Sequence, residues 1–112
     1  MPAFDASIWE QKIQAEYNDR EKIRISLLNE LIVKLKQYFQ IKADRVYIIG
    51  SILQDGHFYE FSDIDIAVKG LHYDYFRTIV ELEDMTGRDI ELVELEKCAF
   101  KDDIEKKGLR VL

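Results

Sequence analysis

Residues 46–68 read VYIIGSILQDGHFYEFSDIDIAV. An apolar run, Val46 to Ile49, stops at Gly50-Ser51, and after a spacer of eleven residues Asp63 and Asp65 alternate with Ile64 and Ile66. A β-strand sends successive side chains to opposite faces, so Asp63 and Asp65 share one face while Ile64 and Ile66 pack the other. Two like charges side by side on a strand repel unless something cationic sits between them. A divalent ion with hard oxygen ligands meets that need. The small-residue turn upstream, Gly50-Ser51, suits phosphate held on backbone N–H groups. Metal and phosphate together point to nucleotide chemistry.

Outward from this stretch, the N-terminal side reads as helix. Asp5 and Ser7 both suit an N-cap, and Ser7 to Glu10 has the spacing of a capping box. Nothing from there to about Gln40 breaks a helix, and Leu28, Leu31, Ile32, Leu35 and Phe39 form an amphipathic stripe. Trp9, Ile13 and Tyr17 give a sparser stripe, and Asn18-Asp19 is a place for a break between two helices. Unbroken, the segment would run roughly 50 Å at 1.5 Å per residue and overhang a small domain. Its first half is then expected to dock on another chain, either a second copy or a different partner. On the C-terminal side the pattern predicts strands over 45–50, 63–69 and 88–95, and a helix over 72–86 with Gly87 just past its end. A short polar helix over 99–107 and a terminal strand over 109–112 follow. The predicted fold class is α+β, a small mixed sheet backed by helices on one side, with a long N-terminal helical segment.

Length and composition set the bounds. The chain has 112 residues, one domain's worth, with residues 5–40 as the helical segment and 45–112 as the core. Apolar residues at 47% suffice for a packed core, and 34% charged residues with a single proline argue against disorder. No apolar run approaches the ~20 residues of a membrane span, and the N-terminus has no secretory pattern. Cys98 stands alone, so no disulfide forms within the chain and a reducing cytoplasm is the expected location. A net charge of −6 lacks the basic footprint of a general nucleic-acid binder.

The third predicted strand carries Asp89 and Glu91 on one face, with Ile90 and Leu92 on the other. Beside the second strand, one or both would join Asp63 and Asp65 in a carboxylate cluster of the kind two-metal phosphoryl or nucleotidyl transfer requires. Alone, Asp-x-Asp on an amphipathic strand is commonly a solvated face, and Gly-Ser after a strand is often only a turn. The ordered combination is what carries the reading.

That combination, Gly50-Ser51, the spacer, Asp63-Ile64-Asp65, then Ile90-Glu91-Leu92, resembles the signature of the polymerase-beta-like nucleotidyltransferases, and in size their minimal members, the MNT proteins. The resemblance covers about residues 45–95 and, more loosely, 108–112. It implies that Gly50 and Ser51 contact a nucleoside triphosphate and that Asp63, Asp65 and Glu91 are catalytic and bind magnesium, with Asp89 as the fallback for the third carboxylate. It implies Mg2+ and ATP as cofactor and substrate, and a partner, a HEPN-type toxin. The implied activity is transfer of AMP to a tyrosine hydroxyl of that toxin by an antitoxin. A catalytically degenerate antitoxin that acts by binding, and a small-molecule nucleotidyltransferase that needs a separate helical subunit, are the alternatives. In two places the chain departs from the pattern: its spacer is one residue longer, and Ile52-Leu53-Gln54-Asp55 stands where an arginine usually follows Gly-Ser. Asp55 would repel a triphosphate. His57, Phe58, Tyr59 and Phe61 are candidates for stacking on a base. Lys69 and Arg88, and more remotely Lys97, Lys101, Lys106, Lys107 and Arg110, are candidates for phosphate contact.

Overall fold

Leu28, Leu31, Ile32, Leu35 and Phe39 belong to the last turns of one unbroken helix, α1 (Ala6–Phe39). The computed structural model describes residues 6–112. No break occurs at Asn18-Asp19. Gln14 Nε2 donates to Asn18 Oδ1 at 3.0 Å along the helix face, so the Asn18 side chain is engaged by a helix neighbour four residues away. Ser7 lies inside the first turn, and Asp5, the other expected cap, lies outside the described residues. At 1.5 Å per residue α1 is roughly 50 Å long, and the molecule measures 66 × 28 × 20 Å. The helix therefore overhangs its sheet. Leu31, Leu35 and Phe39 are buried, whereas Ile8 and Ile13 near the other end are exposed.

The sheet has the order β3-β2-β1-β4, built from β1 (Arg45–Ile49), β2 (Ile64–Lys69), β3 (Ile90–Glu94) and β4 (Leu109–Arg110). β1 runs antiparallel to both β2 and β4. β2 and β3 are parallel, as their connection through helix α2 (Tyr75–Thr86) allows. Alternation sends Val46, Ile48, Ile64, Ile66, Val68, Ile90 and Leu92 into one core with Leu31, Leu35, Phe39 and Leu82. Tyr47 and Ala67 point the other way, into a smaller cluster with Leu95 and Ile104. Ile104 belongs to a third helix, α3 (Lys101–Lys107). Helical cover is thus present on both faces, not one, because the second face is apolar at Tyr47 and Ala67.

α2 starts three residues later than its apolar pattern predicts. The Asp74 carboxylate accepts the Arg77 N–H at 2.7 Å and fixes the N-terminus there. Gly87, at φ 67°, closes the other end as expected. Among the described residues no helix is long and apolar enough to cross a membrane.

The burial pattern makes a direct prediction. Leu35→Ala should lower the unfolding free energy by ~2–5 kcal/mol, while Ile25→Ala, on the exposed side of the same helix, should change it by about 0.5 kcal/mol or less. Urea titration of both variants checks this, and equal effects would contradict the packing described.

Candidate active site

β2 begins at Ile64, so Asp63 stands one residue before it and Asp65 second within it. In the register, Asp65 lies beside Ile49 of β1 on one side and Glu91 of β3 on the other. Gly50 directly follows Ile49, with φ 82°, a conformation that L side chains avoid. Its Cα faces the Asp65 carboxylate so closely that a Cβ there would collide with Oδ2. Glycine is required at position 50 on both counts. One end of three neighbouring strands therefore presents, in order, Glu91, Asp65 with Asp63, and the Gly50-Ser51 turn.

Asp65 is half-buried and its carboxyl is pushed up to about 6. Burial is the first cause. The hydrogen bond shared with Glu91, the Glu91 charge and the Asp63 charge follow. The charges acting on Asp65, those of Glu91 and Asp63, are both acidic, which is the imbalance that a cation would relieve. Asp89 accepts the Ile64 N–H on its backbone carbonyl at 3.0 Å, and its side chain is exposed. Glu91 is the carboxylate that the parallel register sets beside Asp65. Among the described residues no three His, Cys, Asp or Glu side chains form a group that holds a metal by itself. The donor set nonetheless fits magnesium, which is usually held by one or two carboxylates and completed by phosphate and water oxygens.

The spacer loop between Gly50 and Ile64 is held from α1. A 3₁₀ turn, Ser51–Leu53, opens it, with Leu53 N–H donating to Gly50 O at 3.1 Å and Gln54 N–H to Ser51 O at 3.0 Å. Arg24 donates from Nη1 to Ile52 O at 2.9 Å and from Nη2 to Asp55 Oδ1 at 2.6 Å. Asp55, read in the sequence as a repulsive charge, is thus paired with a guanidinium. Arg24 is buried, and its Nε also donates to Glu21 Oε2 at 2.8 Å. Glu21 in turn accepts the Gly56 N–H, and both contacts hold its carboxyl below the usual range, the Arg24 bond first. Neither Arg24 nor Glu21 stood out in the sequence. The signal was present: Arg24 continues the apolar stripe backwards, at i, i+4, i+7 and i+11 with Leu28, Leu31 and Leu35, so a charge falls on a buried face.

Several expected contacts are redirected. Phe58 is in the core with the Arg88 guanidinium 4.6 Å above its ring, and His57 is exposed. Tyr59 and Phe61 stack on each other at 5.5 Å, with Arg20 4.8 Å from the Tyr59 ring. Arg88 donates to the carbonyls of Tyr59, Glu60 and Ser62 and so serves the loop. Lys69 ends β2, at the opposite end from Asp65. Lys97 pairs with Glu94 at 2.9 Å. Lys107 of α3 does approach the turn: with Leu53, Gln54, Asp103 and Ile104 it lines a cleft of about 400 Å³ beside Gly50.

The sequence model of one protein family, Polymerase beta, Nucleotidyltransferase, matches residues 29–112. Among solved structures, a toxin–antitoxin crystallised with AMP-PNP is similar at 26% identity and a TM-score of 0.58, over 74% of this chain and 71% of the other. A mutant of the toxin–antitoxin MntA–HpeT shares the fold at 24% identity and a TM-score of 0.57, over 74% of this chain and 71% of the other. The toxin–antitoxin MntA–HepT does so at 22% identity and a TM-score of 0.50, over 74% and 68%. No curated protein matches the chain.

The raised Asp65 carboxyl predicts a pH dependence. Its unfolded value is near 3.8 and its folded value about 6, so the folded state binds the proton more tightly. The stability linked to that proton is complete below the unfolded value and is lost as pH rises through the folded one. Asp65→Asn lacks this loss. In chelator, its melting temperature should gain on that of the wild type as pH rises from about 4 to about 7. A gap that stays constant over that range would contradict the electrostatic account.

Proposed function

The chain belongs to the polymerase-beta nucleotidyltransferase family, and from that premise we propose that it is the antitoxin of a toxin–antitoxin pair, transferring AMP from ATP to a tyrosine hydroxyl of a HEPN-type toxin. The observation that carries the proposal is the placement of Asp65 between Glu91 and the bare Cα of Gly50. It sets carboxylates beside the Gly50-Ser51 turn at one strand end. The similar toxin–antitoxin structure with AMP-PNP supports a nucleoside triphosphate as substrate and a toxin as partner.

Gly50 and Ser51 receive the triphosphate on the turn. Asp63, Asp65 and Glu91 would hold magnesium, which supplies neutralisation of the phosphate charge when bound. The acceptor hydroxyl oxygen forms a bond to the α-phosphorus. The bond from that phosphorus to the bridging oxygen of the β-phosphate breaks, and pyrophosphate leaves. Glu91, an exposed carboxylate on the edge strand β3, takes the hydroxyl proton. The acceptor comes from the partner chain. The overhanging end of α1, with Ile8 and Ile13 exposed, is the surface to which that partner docks.

Incubation of the chain with its toxin, labelled ATP and magnesium should label the toxin. Asp63→Asn and Asp65→Asn should each reduce labelling by about 100-fold or more while the fold persists. Undiminished labelling by either variant would refute its role, and full neutralisation of the toxin by unlabelling variants would favour inhibition by binding alone.

Deleting residues 1–13 removes Ile8 and Ile13 but leaves Tyr17, Glu21 and Arg24. It should weaken association with the toxin and leave nucleotide affinity unchanged. Sizing chromatography of the mixed proteins reads the first and calorimetry with magnesium–AMP-PNP the second. Unaltered association would remove the docking role of the arm.

A further inference from the structure

Three side chains of α1, Tyr17, Glu21 and Arg24, follow one another at i, i+4 and i+7 and meet the same loop. Arg24 spends its guanidinium on Glu21, on Ile52 O and on Asp55. Glu21 takes the Gly56 N–H with its other oxygen. Gly56 sits at φ 74°, and the Tyr17 ring occupies the space a Cβ would need there. These contacts grip the chain immediately after Gly50-Ser51, at the carbonyl of the 3₁₀ turn and again four residues on. All three lie outside residues 29–112, the part that matches the family.

A buried ion pair is a poor source of stability, since a well-packed apolar residue of similar volume often does as well. What a guanidinium provides and an apolar residue does not is a planar, rigid set of donors that fixes the direction of each acceptor. Here the fixed acceptors belong to the turn that lies against Asp65. Loosening them would let Gly50-Ser51 drift from the carboxylates, and small displacements of a substrate-holding group are expensive in binding and rate.

We infer that Arg24 is a positioning residue, which together with Glu21 locks the turn from Gly50 to Gly56 from the N-terminal helix so that it meets the nucleotide's phosphates. The inference rests on the nucleotidyl-transfer reading for its ligand, though not for the lock itself. It also ties the helix that carries the docking arm to the loop that carries the substrate.

The test uses the full chain with Arg24→Met, Arg24→Lys and Glu21→Gln. Amide exchange by NMR at Leu53, Gln54 and Gly56 reads the lock, and calorimetry with magnesium–AMP-PNP reads the consequence. In Arg24→Met those three amides should exchange faster while Val46 and Ile66 in the sheet stay protected. Affinity for the nucleotide should fall by about tenfold, the scale of one charge-assisted hydrogen-bonded contact. Arg24→Lys should recover part of it, and in AMP transfer KM for ATP should rise by more than kcat falls. If Arg24→Met does not fold, Glu21→Gln decides: faster exchange at Gly56 with weaker nucleotide binding supports the lock. Unchanged loop exchange and affinity, or exchange rising equally in the sheet, overturns it. A wild-type chain that binds no magnesium–AMP-PNP overturns the nucleotidyl-transfer reading, and the exchange pattern then still decides whether Arg24 holds the turn.

Discussion

The Asp65 carboxylate lies against the bare Cα of Gly50, and the arrangement of the candidate site depends on that contact. It is possible because β1 and β2 are antiparallel with Ile49 beside Asp65, so the first residue after β1 meets the second residue of β2. Any side chain at position 50 would push the turn off the carboxylates. The left-handed backbone there adds a second reason for glycine. A parallel neighbour, β3, then brings Glu91 to the other flank of Asp65. Two different strand pairings are needed, one to set the Gly50 turn beside Asp65 and one to set Glu91 there, and this is what a mixed sheet supplies.

The same geometry imposes an electrostatic penalty. The charges of Glu91 and Asp63 act on the partly buried Asp65, and its proton is held more tightly for it. Such an arrangement opposes folding when no cation is present. It persists because the opposite side chains of the same strands, Ile64, Ile66, Ile90 and Leu92, are buried in the core. The alternation of a strand separates the two demands: one face stabilises the fold and the other carries the charge.

α1 also divides its work along its length. Its C-terminal turns bury Leu31, Leu35 and Phe39 against the sheet. Its middle turns hold the loop through Tyr17, Glu21 and Arg24, and its first turns reach beyond the domain. The loop itself is long for a connection between antiparallel neighbours, and such loops are usually functional or disordered. This one is tied at both ends, by Arg24 near Gly50 and by Arg88 at the carbonyls before Asp63. Asp55 is paired with Arg24 and Arg88 donates to the carbonyls of Tyr59, Glu60 and Ser62, which is why neither has the free character its place in the sequence implied.

The amino-acid sequence by itself determined whatever depends on local periodicity. The face of β2 that buries Ile64 and Ile66 away from Asp65, the apolar stripe of α1, the order of strands and helices and the glycine at the turn were all legible, because a strand repeats every two residues and a helix every 3.6. The family was legible for the same reason, since its signature is a set of small and acidic residues within such elements. What only the tertiary structure decided is what depends on contacts between distant segments. Asp89 and Glu91 share a face, and it took the parallel register to set Glu91 beside Asp65. Lys69 looked close to the aspartates along the chain, yet a strand carries it to the far end of β2. Arg24 lay hidden in a helical stripe 28 residues from its carbonyl partner, and no local pattern names the acceptor of a buried charge. Helical cover on the second face, through Ile104, followed from packing on Tyr47 and Ala67. Periodicity assigns a side chain to a face, whereas register and packing choose its neighbours, and those are set by the whole chain at once.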